Sequence, residues 1–118
     1  MRLMKDRKEI GVVYDQVGTP TYAPDLAGAI LDIISKEVWV PGIFHYSNRG
    51  KISWFDFAQA IKMRIGSECN VKAITTPEFP TPAKRPAFSL LDTSKIRDTF
   101  SIEIPQWEES LDVCMKRL

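Results

Sequence analysis

The sequence predicts a mixed fold of the α/β or α+β class rather than a helical bundle or a β-sandwich. Runs of β-branched residues alternate along the chain with segments whose apolar residues recur at helical spacing. The chain has 118 residues, of which 44% are hydrophobic, enough for a modest core. We therefore expect one compact region over residues 1–118.

The first half predicts two helices and two strands. Residues 2–8 resemble the second half of a helix, because no capping residue precedes them, and we expect the natural polypeptide to begin upstream. Residues 10–14 form a β-branched run that predicts a strand, closed by turn-forming residues 15–20. Residues 42–46 predict a second strand. Between them, Pro24 opens a predicted helix up to about residue 36, with one buried stripe: Leu26, Ala27, Ile30, Ile33 and Ile34.

The second half begins with a clear helix signal. Ser53 is a good N-cap with Asp56 three residues later, so we predict a helix over residues 54–65 that Gly66 ends. Its continuous apolar face is Trp54, Phe57, Ala58, Ile61 and Ile65. Residues 71–75 predict a weaker strand.

Residues 75–86 contain four prolines, which exclude a helix or a central strand and indicate an ordered loop. Asp92 or Thr93 can cap a short helix to about residue 100. The last helix starts near residue 106, and its predicted apolar face is Trp107, Leu111, Cys114, Met115 and Leu118.

Composition excludes several classes of protein. The 16 basic and 15 acidic residues nearly balance, so we expect no nucleic-acid partner and no anionic membrane partner. No apolar run approaches the roughly 20 residues of a membrane span, and no signal peptide is recognisable. Cys69 and Cys114 are isolated, which favours reduced thiols and a cytoplasmic location.

Catalytic signals are few. His45 is the one histidine, and within an apolar strand we expect a hydrogen-bonded structural residue rather than a base. The sequence contains no glycine-rich phosphate loop, metal-ligand cluster or nucleophile elbow. We therefore predict no catalytic, cofactor-binding or metal-binding residue in this chain.

Binding residues are easier to find. Lys84 and Arg85 lie within the proline-rich loop, where a guanidinium of limited mobility can hold a phosphate by two parallel hydrogen bonds. A solvated surface pair is the equally weighted alternative. Asp15 and Gln16 follow a strand and offer hydrogen-bonding groups suited to sugar hydroxyls, although turn formation is the preferred interpretation of Asp15.

Three segments together resemble a known family. Residues 15–27 are similar to D-Q-x-G-x-P-T-x-x-x-D-L-A, residues 42–45 to G-x-Y/F-H, and residues 80–86 to P-T-P-A-x-R-P. These motifs, in this order, resemble the C-terminal, substrate-side part of the dTDP-4-dehydrorhamnose reductases, which are extended short-chain dehydrogenase/reductases. With Pro105-Gln106-Trp107 the similarity covers nearly the whole chain.

The resemblance implies a role in sugar-nucleotide binding. In the family, NADPH or NADH reduces the 4-keto group of dTDP-4-dehydro-6-deoxy-L-mannose, giving dTDP-L-rhamnose. The family's dinucleotide-binding glycines, its catalytic threonine or serine and its Tyr-x-x-x-Lys pair precede the part represented here. The resemblance therefore implies a chain without the Rossmann core, inactive alone and without cofactor, in which Arg85 with Lys84 contacts the dTDP-sugar and Gln16 lines the same cleft.

The resemblance also implies that the chain combines pieces of two lobes. In the extended family, the helix similar to residues 22–36 and the strand similar to residues 42–46 return to the nucleotide-binding sheet. We therefore expect exposed apolar faces that drive self-association, or a strand that pairs with a neighbour's edge. Some family members are associated with magnesium-dependent dimers, but no carboxylate cluster stands at a recognisable position, and we predict no metal site.

Two other functions remain open. One is a non-catalytic relative such as the regulatory subunit of methionine adenosyltransferase, which acts by binding its partner enzyme. An upstream Tyr-x-x-x-Lys pair, together with neighbouring genes for the preceding dTDP-sugar steps, would favour the reductase instead. The other is a stand-alone sugar-nucleotide-binding module, which calorimetry with dTDP-rhamnose would test. We expect weak or no binding by this chain.

Overall fold

The computed structural model describes residues 1–118, and their contacts divide the chain into two compact units. Unit 1 comprises residues 1–18 and 51–90, and unit 2 comprises residues 19–50 and 91–118. The elements, in chain order, are α1 Arg2–Asp6, β1 Glu9–Val13, β2 Val17–Gly18, α2 Ala23–Ser35, β3 Ile52–Ser53, α3 Trp54–Ile65, β4 Asn70–Ile74, a 3₁₀ turn Thr76–Glu78, α4 Ser94–Phe100 and α5 Trp107–Met115. This combination of helices and short strands confirms the predicted mixed class.

Two short sheets organise unit 1. β1 and β4 are parallel, in a register that places Glu9 opposite Asn70 and Val13 opposite Ile74. β2 and β3 are antiparallel, with Val17 opposite Ser53. Because the carboxyl ends of β1 and β4 lie side by side, the residues that follow each strand meet at the same edge. The core of the unit consists of Met4, Ala58, Cys69 and Val71, with Ile10, Val12, Phe55, Ile61 and Ile65 packed against them.

Helix α3 begins at the predicted cap. The Ser53 hydroxyl accepts a hydrogen bond from the Asp56 N–H at 3.1 Å and donates to Asp56 Oδ2 at 2.7 Å, while the Ser53 N–H donates to the same carboxylate oxygen at 3.2 Å. At the other end, Gly66 takes the left-handed conformation with φ 60°, which favours glycine. Both predicted ends of α3 are confirmed.

The core of unit 2 is formed by Ala29, Ile96, Phe100, Ile102 and Ile104, with Ile33, Phe44 and Tyr46 packed against them. The rings of Phe44 and Phe100 lie 5.0 Å apart at 57°, a tilted contact. The short helix α4 thus contributes two of the buried side chains, Ile96 and Phe100, and the extended residues after it contribute the next two.

A buried amide links three segments of unit 2. Asn48 is 2% exposed, and its Nδ2 donates to Asp25 Oδ2 at 2.7 Å and to Ser110 Oγ at 2.8 Å. Its Oδ1 accepts from the Tyr22 N–H at 2.8 Å. The Asn48 side chain, in the loop between α2 and β3, therefore links the start of α2 to the start of α5.

Tyr46 lies near the same carboxylate. Its burial, followed by the negative charge of Asp25, raises the pKa of Tyr46 to about 12.

Several sequence predictions are wrong. Residues 42–46 form no strand, since no backbone ladder pairs them with another segment. The predicted stripe on α2 is mostly exposed: Leu26 is 38%, Ile30 49% and Ile34 69% accessible, whereas Ala29 is the buried residue. α5 ends at Met115, which leaves Leu118 outside the helix and 81% exposed. No helix is long and apolar enough to cross a membrane.

Replacing Asn48 with alanine should lower the free energy of unfolding by about 3 kcal/mol, since the substitution removes several buried hydrogen bonds, one of them to a carboxylate. Urea denaturation followed by circular dichroism measures this change. Asn70→Ala is the matched control, because Asn70 is exposed and its side chain bonds only to Glu9. Equal losses in the two variants would contradict the importance assigned to Asn48.

Candidate functional site

An open cleft of about 570 Å³ in unit 1 contains two of the predicted binding residues. Gln16 and Arg85 line it, together with Trp54, Pro86 and Ser89. Lys84 is exposed and does not line the cleft. The structure thus brings Gln16 and Arg85 together from opposite ends of the unit's sequence and leaves Lys84 outside the lining of the cleft.

Val17 holds the walls of the cleft together. Its N–H donates to the Ala87 carbonyl at 2.9 Å, and its carbonyl accepts from the Ser89 N–H at 2.9 Å. On its other side, Val17 pairs with Ser53 in the β2–β3 ladder. A Cβ at Gly18 would lie 2.8 Å from Ser89 Oγ, so a larger residue here would displace the Ser89 hydroxyl. The proline-rich loop is therefore attached to the small sheet just after Arg85.

Trp54 provides the flat wall of the cleft. It is the first residue of α3 and is 42% exposed. Its ring makes an edge-to-face contact with the Phe57 ring, with the two centroids 6.3 Å apart and an angle of 69° between the ring planes. The helical periodicity placed Trp54 on the continuous apolar face of α3, and the structure leaves this end of the face exposed. Its position directly after the N-cap, next to a polar turn, is the signal that could have identified an exposed ring.

A chain of hydrogen bonds fixes the Gln16 side chain. Gln16 Nε2 donates to Thr76 Oγ1 at 3.0 Å, and Thr76 Oγ1 donates to Asp15 Oδ1 at 2.8 Å. The Thr76 N–H also donates to both carboxylate oxygens of Asp15, at 3.0 and 2.9 Å. The Asp15 carboxylate thus joins two segments that are 61 residues apart in the sequence. The preferred sequence interpretation, a local turn, did not include this long-range contact. Sequence patterns had not identified Thr76.

No ion pair or hydrogen bond engages the Arg85 side chain, which is exposed at the cleft. Its guanidinium therefore keeps all five donors for a ligand. The Gln16 carbonyl oxygen also forms no hydrogen bond with the protein, since only its Nε2 is engaged. The cleft can consequently offer cationic donors, an amide acceptor and an aromatic face to one ligand.

The remaining candidate groups lie elsewhere. His45 is exposed and forms no hydrogen bond, so its predicted structural role is wrong. A cleft of about 770 Å³ in unit 2 has mixed charge, with Arg49, Arg97, Glu103 and Glu109 among its lining residues, and contains none of the predicted binding residues. Cys69 and Cys114 are free thiols, the first buried and the second half-buried. No group of three or more metal-ligating side chains comes together.

Acid should destabilise the edge that carries Asp15. The backbone N–H of Thr76 is the main cause that lowers the pKa of Asp15 below its ordinary 3.8, and its hydroxyl adds to this against the opposing effect of burial. The pKa of Glu78 is likewise lowered from 4.5, mainly by the backbone N–H of Thr75. Because both carboxylates have lower pKa values when folded, their stabilisation is complete above these ordinary values and is lost as pH falls through the lowered ones.

Thermal unfolding measured between pH 7 and pH 2 should therefore show a melting temperature that falls below about pH 4. Asp15→Asn should reduce this acid dependence, because the variant carries no carboxylate to protonate at that position. A variant with the same acid dependence as the original chain would contradict the contribution of Asp15.

Comparison with known proteins places these features in a family. Residues 1–118 match the RmlD substrate binding domain. The dTDP-4-dehydrorhamnose reductase of Aggregatibacter actinomycetemcomitans is 40% identical over 121 residues, which cover 94% of this chain and 41% of that protein. The spore coat polysaccharide biosynthesis protein SpsK of Bacillus subtilis is 39% identical over 111 residues, or 94% of this chain and 38% of that protein.

Solved structures agree with the sequence comparison. The dTDP-4-dehydrorhamnose reductase of Bacillus anthracis, crystallised in complex with NADP, superposes with a TM-score of 0.91 at 38% identity and covers 99% of this chain and 41% of that one. The Clostridium acetobutylicum counterpart gives a TM-score of 0.88 at 38% identity, over 99% and 42% of the two chains. The present chain thus spans about two fifths of the length of these relatives. The resemblance that the motifs indicated is confirmed, and the chain belongs to the family of the RmlD substrate binding domain.

Proposed function

We propose that this chain binds the dTDP-sugar in a dTDP-4-dehydrorhamnose reductase, whose reaction is the NAD(P)H-dependent reduction of dTDP-4-dehydro-L-rhamnose to dTDP-L-rhamnose. The observation that carries the proposal is the cleft that combines Arg85, Gln16 and Trp54. The names of the similar proteins from A. actinomycetemcomitans and B. anthracis support the substrate class. The proposal places the reaction in the cytoplasm and requires no metal ion from this chain.

Arg85 is the residue proposed to hold the diphosphate. A guanidinium presents parallel N–H groups that match two phosphate oxygens, and no carboxylate has to be released before a ligand binds. Pro86 beside it restricts the backbone, which lowers the entropy lost on binding. Lys84 does not line the cleft, and its positive charge next to Arg85 attracts an anionic ligand over a longer range.

The nicotinamide cofactor does not fit the residues of this chain. Dinucleotide sites use a glycine-rich turn ahead of a helix N-terminus, where backbone N–H groups face the diphosphate. Here the start of α3 is occupied by the Asp56 carboxylate, which repels a phosphate, and no glycine-rich turn precedes Pro24 in the first turn of α2. We infer that the NADPH or NADH of the reaction is held outside residues 1–118, along with the groups that move protons, and that this chain alone is inactive.

In a full-length reductase that contains this chain, Arg85→Ala should raise KM for the dTDP-sugar by about tenfold to a hundredfold, the loss expected for a charge-assisted hydrogen-bond pair. Steady-state kinetics with NADPH measures KM and kcat. Lys84→Ala is the matched control, because it removes the adjacent positive charge outside the cleft, and it should change KM less than threefold or so. Unchanged KM and kcat in Arg85→Ala would refute the proposed role.

We also propose that copies of the isolated chain associate through one apolar surface of unit 2. The surface would be formed by the exposed apolar side chains of α2 and of the residues after it: Leu26, Ile30, Leu31, Ile34, Val38, Trp39 and Ile43. Trp39 is 90% and Ile43 is 77% exposed, values that leave large apolar areas in contact with water. A second copy offers an equally apolar surface for burial.

Sedimentation velocity at increasing protein concentration should therefore show a shift from monomer to dimer or larger species. Ile34→Glu should weaken this shift, because burial of an unpaired carboxylate opposes association. Met63→Glu is the control, since Met63 is 73% exposed and belongs to α3 of unit 1, so it is not one of the unit 2 side chains named above. A clean monomer at high concentration would contradict the proposed association.

A further inference from the structure

The hydroxyl of Thr76 determines which way the Gln16 amide faces. A threonine hydroxyl has one proton, and the Asp15 carboxylate can only accept it. Since Thr76 Oγ1 gives its proton to Asp15 Oδ1 at 2.8 Å, it can only accept from Gln16. The Gln16 amide must therefore turn its NH₂ group toward Thr76, where Nε2 lies 3.0 Å from the hydroxyl oxygen. The carboxylate thus sets the amide orientation through one intervening hydroxyl.

The oriented amide leaves two groups for a ligand. Oε1 is an acceptor without a partner in the protein, and the second proton of Nε2 is a donor. A sugar hydroxyl can both donate and accept, so it would bind either orientation of an amide. An imide edge cannot, because its N–H only donates and its carbonyl only accepts. Hydrogen bonds that hold the amide in one orientation therefore favour binding of a ligand with an imide edge.

The flat wall of the cleft favours the same ligand. Trp54 is 42% exposed beside Gln16 and Arg85, and its position is fixed by the Ser53–Asp56 cap. Stacking on an aromatic side chain stabilises a base by about 1–3 kcal/mol in nucleic-acid complexes, whatever the base. Stacking alone would thus give affinity without selectivity, and the oriented amide would add the selectivity.

We propose that Gln16 pairs with the imide edge of the thymine base, which stacks on Trp54, and that Asp15 and Thr76 are positioning residues that orient the Gln16 amide. Oε1 accepts the imide N–H, and Nε2 donates to the neighbouring base carbonyl. This assignment rests on the proposed function, since it requires the nucleotide to occupy the cleft. It adds that unit 1 selects the base through Gln16, with Asp15 and Thr76 orienting the amide without touching the ligand.

The test uses dTDP and its N3-methyl derivative, in which a methyl group replaces the imide proton. Titrations followed by saturation-transfer NMR suit the weak affinity expected for this chain. The original chain should bind dTDP about tenfold more tightly than the methylated form, the usual value of one specific hydrogen bond. Thr76→Val has nearly the same shape but no hydroxyl, so the Gln16 amide can rotate and this ratio should fall below about threefold.

Three further variants separate orientation from folding. Thr76→Ser restores the hydroxyl and should restore the tenfold ratio. Gln16→Met removes the amide without changing Thr76 and should lower the ratio as Thr76→Val does. Thr81→Val is the control, because the Thr81 hydroxyl donates to Ala83 within the loop and does not contact Gln16; its ratio should stay at about tenfold.

These measurements distinguish failure of base selection from failure of sugar-nucleotide binding. If dTDP binds in an Arg85-dependent manner but the ratio is unchanged in both Thr76→Val and Gln16→Met, the base-selecting role is overturned and sugar-nucleotide binding survives. If no dTDP signal is seen with this chain or with a full-length reductase that contains it, or if Arg85→Ala leaves that signal unaltered, sugar-nucleotide binding in the cleft is overturned and base selection with it.

Discussion

The backbone of Val17 is the point at which the parts of the cleft are joined. On one side it pairs with Ser53, the residue directly before Trp54. On the other it exchanges hydrogen bonds with Ala87 and Ser89, just after Arg85 and Pro86. Gln16 is its chain neighbour. Every residue that lines the cleft is therefore at most two positions from a residue in these pairings, so two short ladders position an amide, an indole and a guanidinium together.

This construction explains which features could be predicted. The start of α3 depends on Ser53 and Asp56, three residues apart, and such local contacts leave a clear pattern in the sequence. The pairing of β2 with β3 leaves almost none, because each strand has two residues and the partners are distant along the chain. Gln16 and Arg85 were selected by their chemistry and by resemblance. Trp54 was identified only as part of an apolar helix face, because periodicity does not specify which residues of that face are covered.

Helix α2 illustrates a second limit. The spacing of its apolar residues correctly predicted a helix, Ala23–Ser35, but a stripe specifies only that a face is apolar and not what covers it. In this chain Ala29 and Ile33 face the core of unit 2, and Leu26, Ile30 and Ile34 remain exposed. The strand predicted over residues 42–46 is absent for the same reason, since a strand needs a ladder partner and an apolar, aromatic composition cannot supply one.

The contact between Asp15 and Thr76 could have been predicted if the register of β1 and β4 had been known. Its position after a strand favoured a local turn, and the motif search did not select Thr76. In the parallel register of β1 and β4, Val13 lies opposite Ile74, so continuing two residues along both strands brings Asp15 opposite Thr76. The hydrogen bonds between them follow from that register, as does the orientation of Gln16 beside them. Parallel pairing between remote strands has no strong local signature, and the positioning of the cleft's amide depends on it.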